Sequence, residues 1–331
     1  MIILLQTHQP LLLLSALLLI VIIALWALQY VVIRYGKSAF MLVKHYWRKI
    51  EPRLELNKRL THLKTSQPKL YQFFWQRLHV QHFHGLPLTV LLLLIIYIVA
   101  VFVGLVEDVV TSDSIVALDL LVSQQMSLLS EAGVIDVFIP ITSLASTPIT
   151  ILVVLLTAVI CWVVRQRYII VGLLIAVIGS TLFTFVTKMI FERARPIDIL
   201  LLESTYSFPS GHATVTVALY GFLAYIAIRF SERFAVQVRI VMITILLTVL
   251  IGVSRIVLNE HYLSDVLGGY LVGTLWLTVA ISITEWLTTK DKINWQSTWS
   301  TAQIYMVWLS IASVLMSTLI YAGIYQFPLL L

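Results

Sequence analysis

Three short stretches gather the side chains with which this sequence could do chemistry: Lys188 to Pro196 (KMIFERARP), Phe208 to His212 (FPSGH) and Ser254 to Asp265 (SRIVLNEHYLSD). Together they hold lysine, arginines, a Ser-Gly pair, two histidines and an aspartate, a set suited to phosphoryl chemistry. A phosphate monoester or diphosphate carries about two negative charges, and hydrolysis moves that charge onto equatorial and leaving oxygens. Catalysis then rests mainly on positioning and electrostatics. Arginine's planar fork fits phosphate oxygens and lysine adds a point charge, which nominates Lys188, Arg195 and Arg255 as phosphate ligands. Ser210 stands where a helix opens, a natural N-cap, and a helix N-terminus directs N–H groups at an anion. Gly211 lets a phosphate approach the backbone closely.

The two histidines divide the remaining work. His212, beside the anion site, is placed to protonate a departing oxygen. His261 and Asp265 are four apart at the start of a helix and share a face. A carboxylate on one ring nitrogen fixes the tautomer and leaves the other nitrogen free to attack. A phosphohistidine intermediate follows, then attack by water. Arg193 falls at a variable position and reads as a surface residue or a headgroup contact. Pro196 is expected to end its helix after Arg195.

In order and spacing the three stretches are similar to the signature of the type 2 phosphatidic acid phosphatase (PAP2) superfamily: K-x6-RP, PSGH and SR-x5-H-x3-D. The resemblance covers about residues 87–290. It implies phosphate binding by Lys188, Arg195, Ser210, Gly211 and Arg255, leaving-group protonation by His212, nucleophilic attack by His261 and orientation by Asp265. It also implies a membrane lipid phosphatase that needs no metal and no cofactor. Its expected substrate is an isoprenoid or glycerolipid phosphate, with undecaprenyl diphosphate first, then phosphatidic acid and phosphatidylglycerol phosphate. A phosphotransferase would use the same residues. A soluble vanadium haloperoxidase shares the motifs but not the apolar helices. A lipid-binding or transport protein with a relic site would be expected to have lost a motif residue, and none is missing.

The elements that must position these residues are apolar. Of 331 residues 60% are hydrophobic and 11% charged, with a mean hydropathy of +0.97, whereas a soluble domain carries about 25% charged residues. About 20 apolar residues span a bilayer. Eight runs qualify, near 10–33, 87–106, 137–164, 168–187, 213–228, 240–257, 265–287 and 303–327. The expected fold is therefore all-α and polytopic: a six-helix core over 87–290, an added helix at 1–34, a basic segment at 35–86 and a last helix in 291–331. The first run lacks a small-residue cleavage site and reads as a retained helix.

Of the 22 basic residues, 11 lie between Arg34 and Arg77, and seven more are Arg165, Arg167, Arg229, Arg233, Arg239, Lys290 and Lys292. Numbering the helices in order puts these 18 on one side of the membrane. Positive residues stay in the cytoplasm, so the motifs face outward, on the periplasmic or extracellular side of a bacterial inner membrane. The four outward cations, Lys188, Arg193, Arg195 and Arg255, call for an anion. This distribution also argues against a nucleic-acid partner for the net charge of +6. Within 35–86, Val43, Tyr46, Trp47 and Ile50, then Leu70, Phe73, Phe74 and Leu78, recur at helical spacing among cations. That pattern predicts interfacial helices on anionic lipid headgroups. His79, His82 and His84 are a conceivable but unsupported metal set.

The outward segment from Glu107 to Asp136 is acidic and has no cation. It lacks the alternating spacing of a calcium loop and reads as an acidic outer loop. Leu118, Leu121, Val122, Met126 and Leu129 suggest a short amphipathic helix within it. Cys161, the single cysteine, is expected to be buried and inert.

Overall fold

A backbone surrounded by lipid has only itself for hydrogen bonding, so each apolar run must close its bonds as a helix. The computed structural model describes residues 2–55, 65–68, 85–112, 114–128, 132–197 and 205–324. Ten helices order these residues: α1 (Ile2–Glu55), α2 (Leu86–Val110), α3 (Ser114–Ser127), α4 (Ala132–Ser143), α5 (Thr147–Val163), α6 (Ile169–Phe191), α7 (Gly211–Arg229), α8 (Phe234–Val257), α9 (Leu263–Thr289) and α10 (Thr301–Ile324). Among the described residues there is no strand. Among the described residues eight stretches are long and apolar enough to cross a membrane, with α4 and α5 jointly making the third, Val134–Val163. The chain is all-α and polytopic, as its composition requires.

Two helix boundaries differ from the sequence expectation. No break follows residue 34: α1 runs unbroken for 54 residues, about 80 Å at 1.5 Å per residue. Gly36 packs its backbone on the Phe234 ring at the start of α8. Val43, Tyr46, Trp47 and Ile50 therefore continue the first helix, while Leu70, Phe73, Phe74 and Leu78 lie outside the described residues. The third run, expected to be continuous, is broken by an elbow at 144–146, where Pro148 opens α5. A proline suits the first turn of a helix, where its missing N–H is no loss. The elbow frees the Leu144 carbonyl to accept from the Tyr220 hydroxyl at 2.7 Å.

α9 is the central post, packing on α2, α6, α7 and α3. It meets α7 almost backbone to backbone. A Cβ at Gly269 would lie 2.6 Å from the Ser210 carbonyl oxygen, and one at Gly273 would lie 2.6 Å from that of Thr214. Small residues permit this approach where lipid supplies no hydrophobic force between helices. It fixes the N-terminal ends of α7 and α9, which carry His212 and Asp265, to one another. Both α6 and α7 contain a single π turn, Ile175–Gly179 and Thr216–Tyr220, packed on α9. Leu173, Leu219, Phe222 and Ile169 fill the core between α6 and α7, with exposures of 0%.

The two added helices are peripheral. α1 leans on α8 and α10 on α4 and α5, and only 6% of the membrane window of each is buried, against 39% for α6, α7 and α9. Eight crossings put the α6–α7 connection and the α9–α10 connection on opposite sides. In a Cys161→Ala background, cysteines placed at the exposed Ile197 and Asn294 should respond oppositely to an impermeant thiol reagent on intact cells. Label at 197 alone fits motifs facing outward; label at 294 alone inverts the topology.

Candidate active site

The first motif is built where α6 stops. Glu192 caps the helix in the left-handed region at φ 46°, three residues before Arg195. Pro196 therefore does not end the helix after Arg195, as its position suggested; the chain has already left the helix, and 192–196 is irregular. Outside the helix, both arginines of the stretch turn back onto the protein. Arg195 donates from Nε to the Thr205 carbonyl at 2.7 Å and from Nη1 to the Glu260 carbonyl at 2.8 Å. Lys188, in the last turn of α6, donates from Nζ to the Tyr206 carbonyl. The Ser207 N–H donates to the Arg193 carbonyl at 2.9 Å, which joins the first motif to the second.

Phe208 anchors the second motif. It is 1% exposed and packs its ring against Phe102 and Phe191. Ser210 occupies the N-cap of α7 in an extended conformation, but its hydroxyl makes no capping bond, contrary to the role its position suggested. The side chain is fully buried, and among the described residues Oγ has no hydrogen-bond partner. A Cβ added at Gly211 would meet nothing within 4 Å. A buried hydroxyl with spare capacity thus borders open room at a helix start. His212 follows, within electrostatic reach of Arg255, His261, Arg195 and Lys188.

The third motif spans the end of α8 and the start of α9. Arg255 is 1% exposed and donates from Nη1 to the Thr142 hydroxyl at 3.1 Å. Asn259 adopts φ 52°, a left-handed conformation that asparagine tolerates, and turns the chain back so that Glu260 and His261 point inward. Its amide oxygen accepts from Ser123 at 2.8 Å. His261 Nδ1 lies 3.5 Å from Asp265 Oδ2, an ion-pair distance rather than a formed hydrogen bond. Asp265 is held elsewhere: Oδ2 accepts the Tyr262 N–H at 2.9 Å and Oδ1 accepts from Arg193 at 2.5 Å. The Ser210 N–H donates to the Asp265 carbonyl at 2.9 Å, closing the second motif on the third. Burial first, then Arg255, Arg195 and Lys188, hold the His261 imidazole well below its usual range, opposed by a backbone bond at Ser207. The ring is therefore neutral at pH 7, as a nucleophile must be.

All eight expected site residues, Lys188, Arg195, Ser210, Gly211, His212, Arg255, His261 and Asp265, lie together where the three motifs meet. Four further residues were not expected there. Arg193 is neither a surface residue nor a headgroup contact: its guanidinium joins Asp265 to Asp119 at 2.7 Å and covers the Tyr262 ring at 4.5 Å. Burial opposes its charge, but Asp265 and Asp119 outweigh that and raise its pKa. Asp119 is not part of a solvated acidic loop. The expected short helix is α3, and it turns Asp119 inward to zero exposure, accepting the Ser264 N–H at 2.9 Å and the Ser264 hydroxyl. Glu260 and Thr142 are the other two. One signal pointed to Asp119: an acid at the helical spacing of Val122 and Met126, among apolar neighbours. Among the described residues no three His, Cys, Asp or Glu side chains gather as metal ligands, and His79, His82 and His84 lie outside those residues. Cys161 is buried at 3% exposure.

Cations, histidines and a buried serine thus meet at the ends of membrane-length helices. Residues 169–289 match the model of the PAP2 superfamily. Phosphatidylglycerophosphatase B of Bacillus subtilis (strain 168) is 36% identical over 108 residues, which cover 31% of this chain and 53% of that relative. The chain thus aligns with about half the length of that curated relative. The crystal structure of a transmembrane PAP2 type phosphatidylglycerolphosphate phosphatase from Bacillus subtilis superposes with a TM-score of 0.54 at 25% identity, covering 58% of this chain and 96% of that one. Residues 169–289 are thus similar to the PAP2 superfamily, and the chain is an integral membrane protein built around them.

Two outcomes follow from this geometry. In carbon-13 histidine spectra, the His261 signal, assigned by its loss in His261→Ala, should keep its neutral shift as the pH falls through about 6.5, where a free imidazole protonates. Asp119→Ala should sharply lower the thermal unfolding midpoint in detergent, because breaking a buried ion pair costs about 3–5 kcal/mol. Glu107→Ala, at an exposed acid near the end of α2, should leave the midpoint unchanged.

Proposed function

We propose that this chain hydrolyses lipid phosphates by a metal-independent route at the outer face of a bacterial inner membrane. The observation that carries the proposal is the convergence of three cations, an unpartnered buried serine and two histidines around the open room beside Gly211. The names of the two Bacillus subtilis proteins favour a glycerolipid monoester such as phosphatidylglycerol phosphate, with phosphatidic acid and undecaprenyl diphosphate after it. The outward placement rests on the 18 cations of the opposite side.

In the proposed reaction Lys188, Arg195 and Arg255 hold the phosphoryl oxygens, with Ser210 and the backbone at Gly211 completing the cradle. His261, its Nδ1 turned toward Asp265, attacks phosphorus with Nε2. The P–O bond to the lipid breaks as His212 gives its proton to the departing oxygen. Water then attacks the phosphohistidine and passes a proton to His212, the P–N bond breaks, and orthophosphate leaves. Fixed cations aimed at oxygens that gain charge supply the electrostatic part of the acceleration.

Phosphate release from purified lipid phosphates should persist in EDTA and be inhibited by vanadate, a mimic of five-coordinate phosphorus. Activity lost in EDTA and restored by magnesium would overturn the metal-independent route. His261→Ala should abolish turnover of every substrate. His212→Ala should slow single-turnover release of an alkoxide leaving group by about 10²–10⁴-fold, the usual worth of general acid assistance. It should slow a diphosphate less, because phosphate departs readily without a proton. Equal losses on both substrates would remove the acid role from His212.

A further inference from the structure

The phosphate cradle has an anion built into it. Glu260, the residue before His261, is fully buried. Its Oε2 lies 3.2 Å from Nη1 of Arg195 and 3.7 Å from Nη2 of Arg255. The backbone secures it there: its carbonyl accepts from Arg195 at 2.8 Å and its N–H donates to the Arg255 carbonyl at 3.0 Å. The left-handed turn at Asn259 sets the direction. One carboxylate thus touches two of the guanidiniums proposed to hold the phosphate.

Building on the phosphate-site reading above, we propose that Glu260 is a resident counter-anion that tunes the cradle to a dianionic phosphoryl group. Lys188, Arg195 and Arg255 supply three positive charges and Glu260 removes one. The lower positive charge favours a monoester dianion relative to a fully ionised diphosphate, which carries more negative charge. The same charge weakens retention of orthophosphate after each turnover. When the site is empty Glu260 holds the two forks together, so they need no reorganisation on binding. Glu260 is therefore a specificity-determining residue, distinct from the groups that bind or attack phosphorus.

The substitution that isolates charge is Glu260→Gln, because the amide oxygen can still accept from Arg195. Orthophosphate and vanadate binding, measured by calorimetry on the full chain in nanodiscs, should tighten by at least about tenfold. That is the conservative end of removing one charge close to a bound anion in a partly dry site. On hydrolysis, the ratio of kcat/KM for undecaprenyl diphosphate to that for phosphatidic acid should rise by a similar factor. Glu260→Asp keeps the charge but draws it back by one methylene, so its affinity should fall between the two. It decides the question if the glutamine variant does not fold. Unchanged or weaker phosphate binding in the substituted protein would overturn the proposal, as would failure of both proteins to bind phosphate. A wild type that binds phosphate but hydrolyses no lipid phosphate would instead remove the hydrolase reading, leaving the binding comparison valid.

Discussion

Arg193 reaches Asp119 on α3 with one arm of its guanidinium and Asp265 on α9 with the other, and both carboxylates are fully buried. Burying an isolated carboxylate costs several kcal/mol, and the shared guanidinium offsets that cost for both acids. The pairing therefore ties three segments, separated by more than 70 residues in sequence, into one charge balance. Asp119 extends the tie through the Ser264 N–H and hydroxyl to the first turn of α9. Asp265 extends it through the Tyr262 N–H to the ring of His261. The position of that ring is thus inherited from a helix outside the region that matches the family model.

A second level of control comes from the helices themselves. Glycines at 269 and 273 let α9 touch the backbone of α7, and contacts between close-packed elements do not slide, because interiors pack at crystal density. Hydrogen bonds at the rim then aim individual side chains. The Ser207 and Ser210 N–H groups, Lys188 and Arg195 all spend donors on carbonyls of neighbouring segments. Apolar packing sets where the helix ends lie, and the polar rim sets which way their side chains point. The division follows the solvent: hydrogen bonds direct poorly against bulk water, and helix ends buried without partners are costly.

The spans and the three motifs were legible because each has a local signature. Apolar length marks a crossing, and the charge bias separates the two sides. Arg193, Asp119, Glu260 and Thr142 were less legible, since their meaning lies in partners brought together only by folding. Arg193 and Glu260 even sit at variable positions of the motifs. A partial signal existed for Arg193, because a cation on the side opposite the other 18 called for an anion; that anion proved to be two carboxylates of the protein. Helix boundaries failed where a local rule lost to context. Pro196 suggested a stop that the left-handed Glu192 had already made, and the charge onset at Arg34 suggested a break that α1 does not contain.

The distribution of charge about His261 is asymmetric, and this bears on the direction of attack. Behind the ring, on its Nδ1 side, stands Asp265, whose charge is partly met by Arg193. The three cations whose fields act on the ring, Arg255, Arg195 and Lys188, outnumber the Glu260 carboxylate that touches two of them. The excess positive potential therefore lies with the proposed phosphate ligands, and the negative potential lies behind the ring. In the proposed reaction a phosphoryl dianion is drawn toward Nε2. The imidazole gains positive character as the P–N bond forms, and it is stabilised by the carboxylate at its back. A neutral ring in the free protein and a stabilised cation in the transition state are compatible, because the phosphoryl group arrives with the charge that offsets the cations. The groups that hold His261 neutral before binding thus stop opposing its positive charge once the anion is in place.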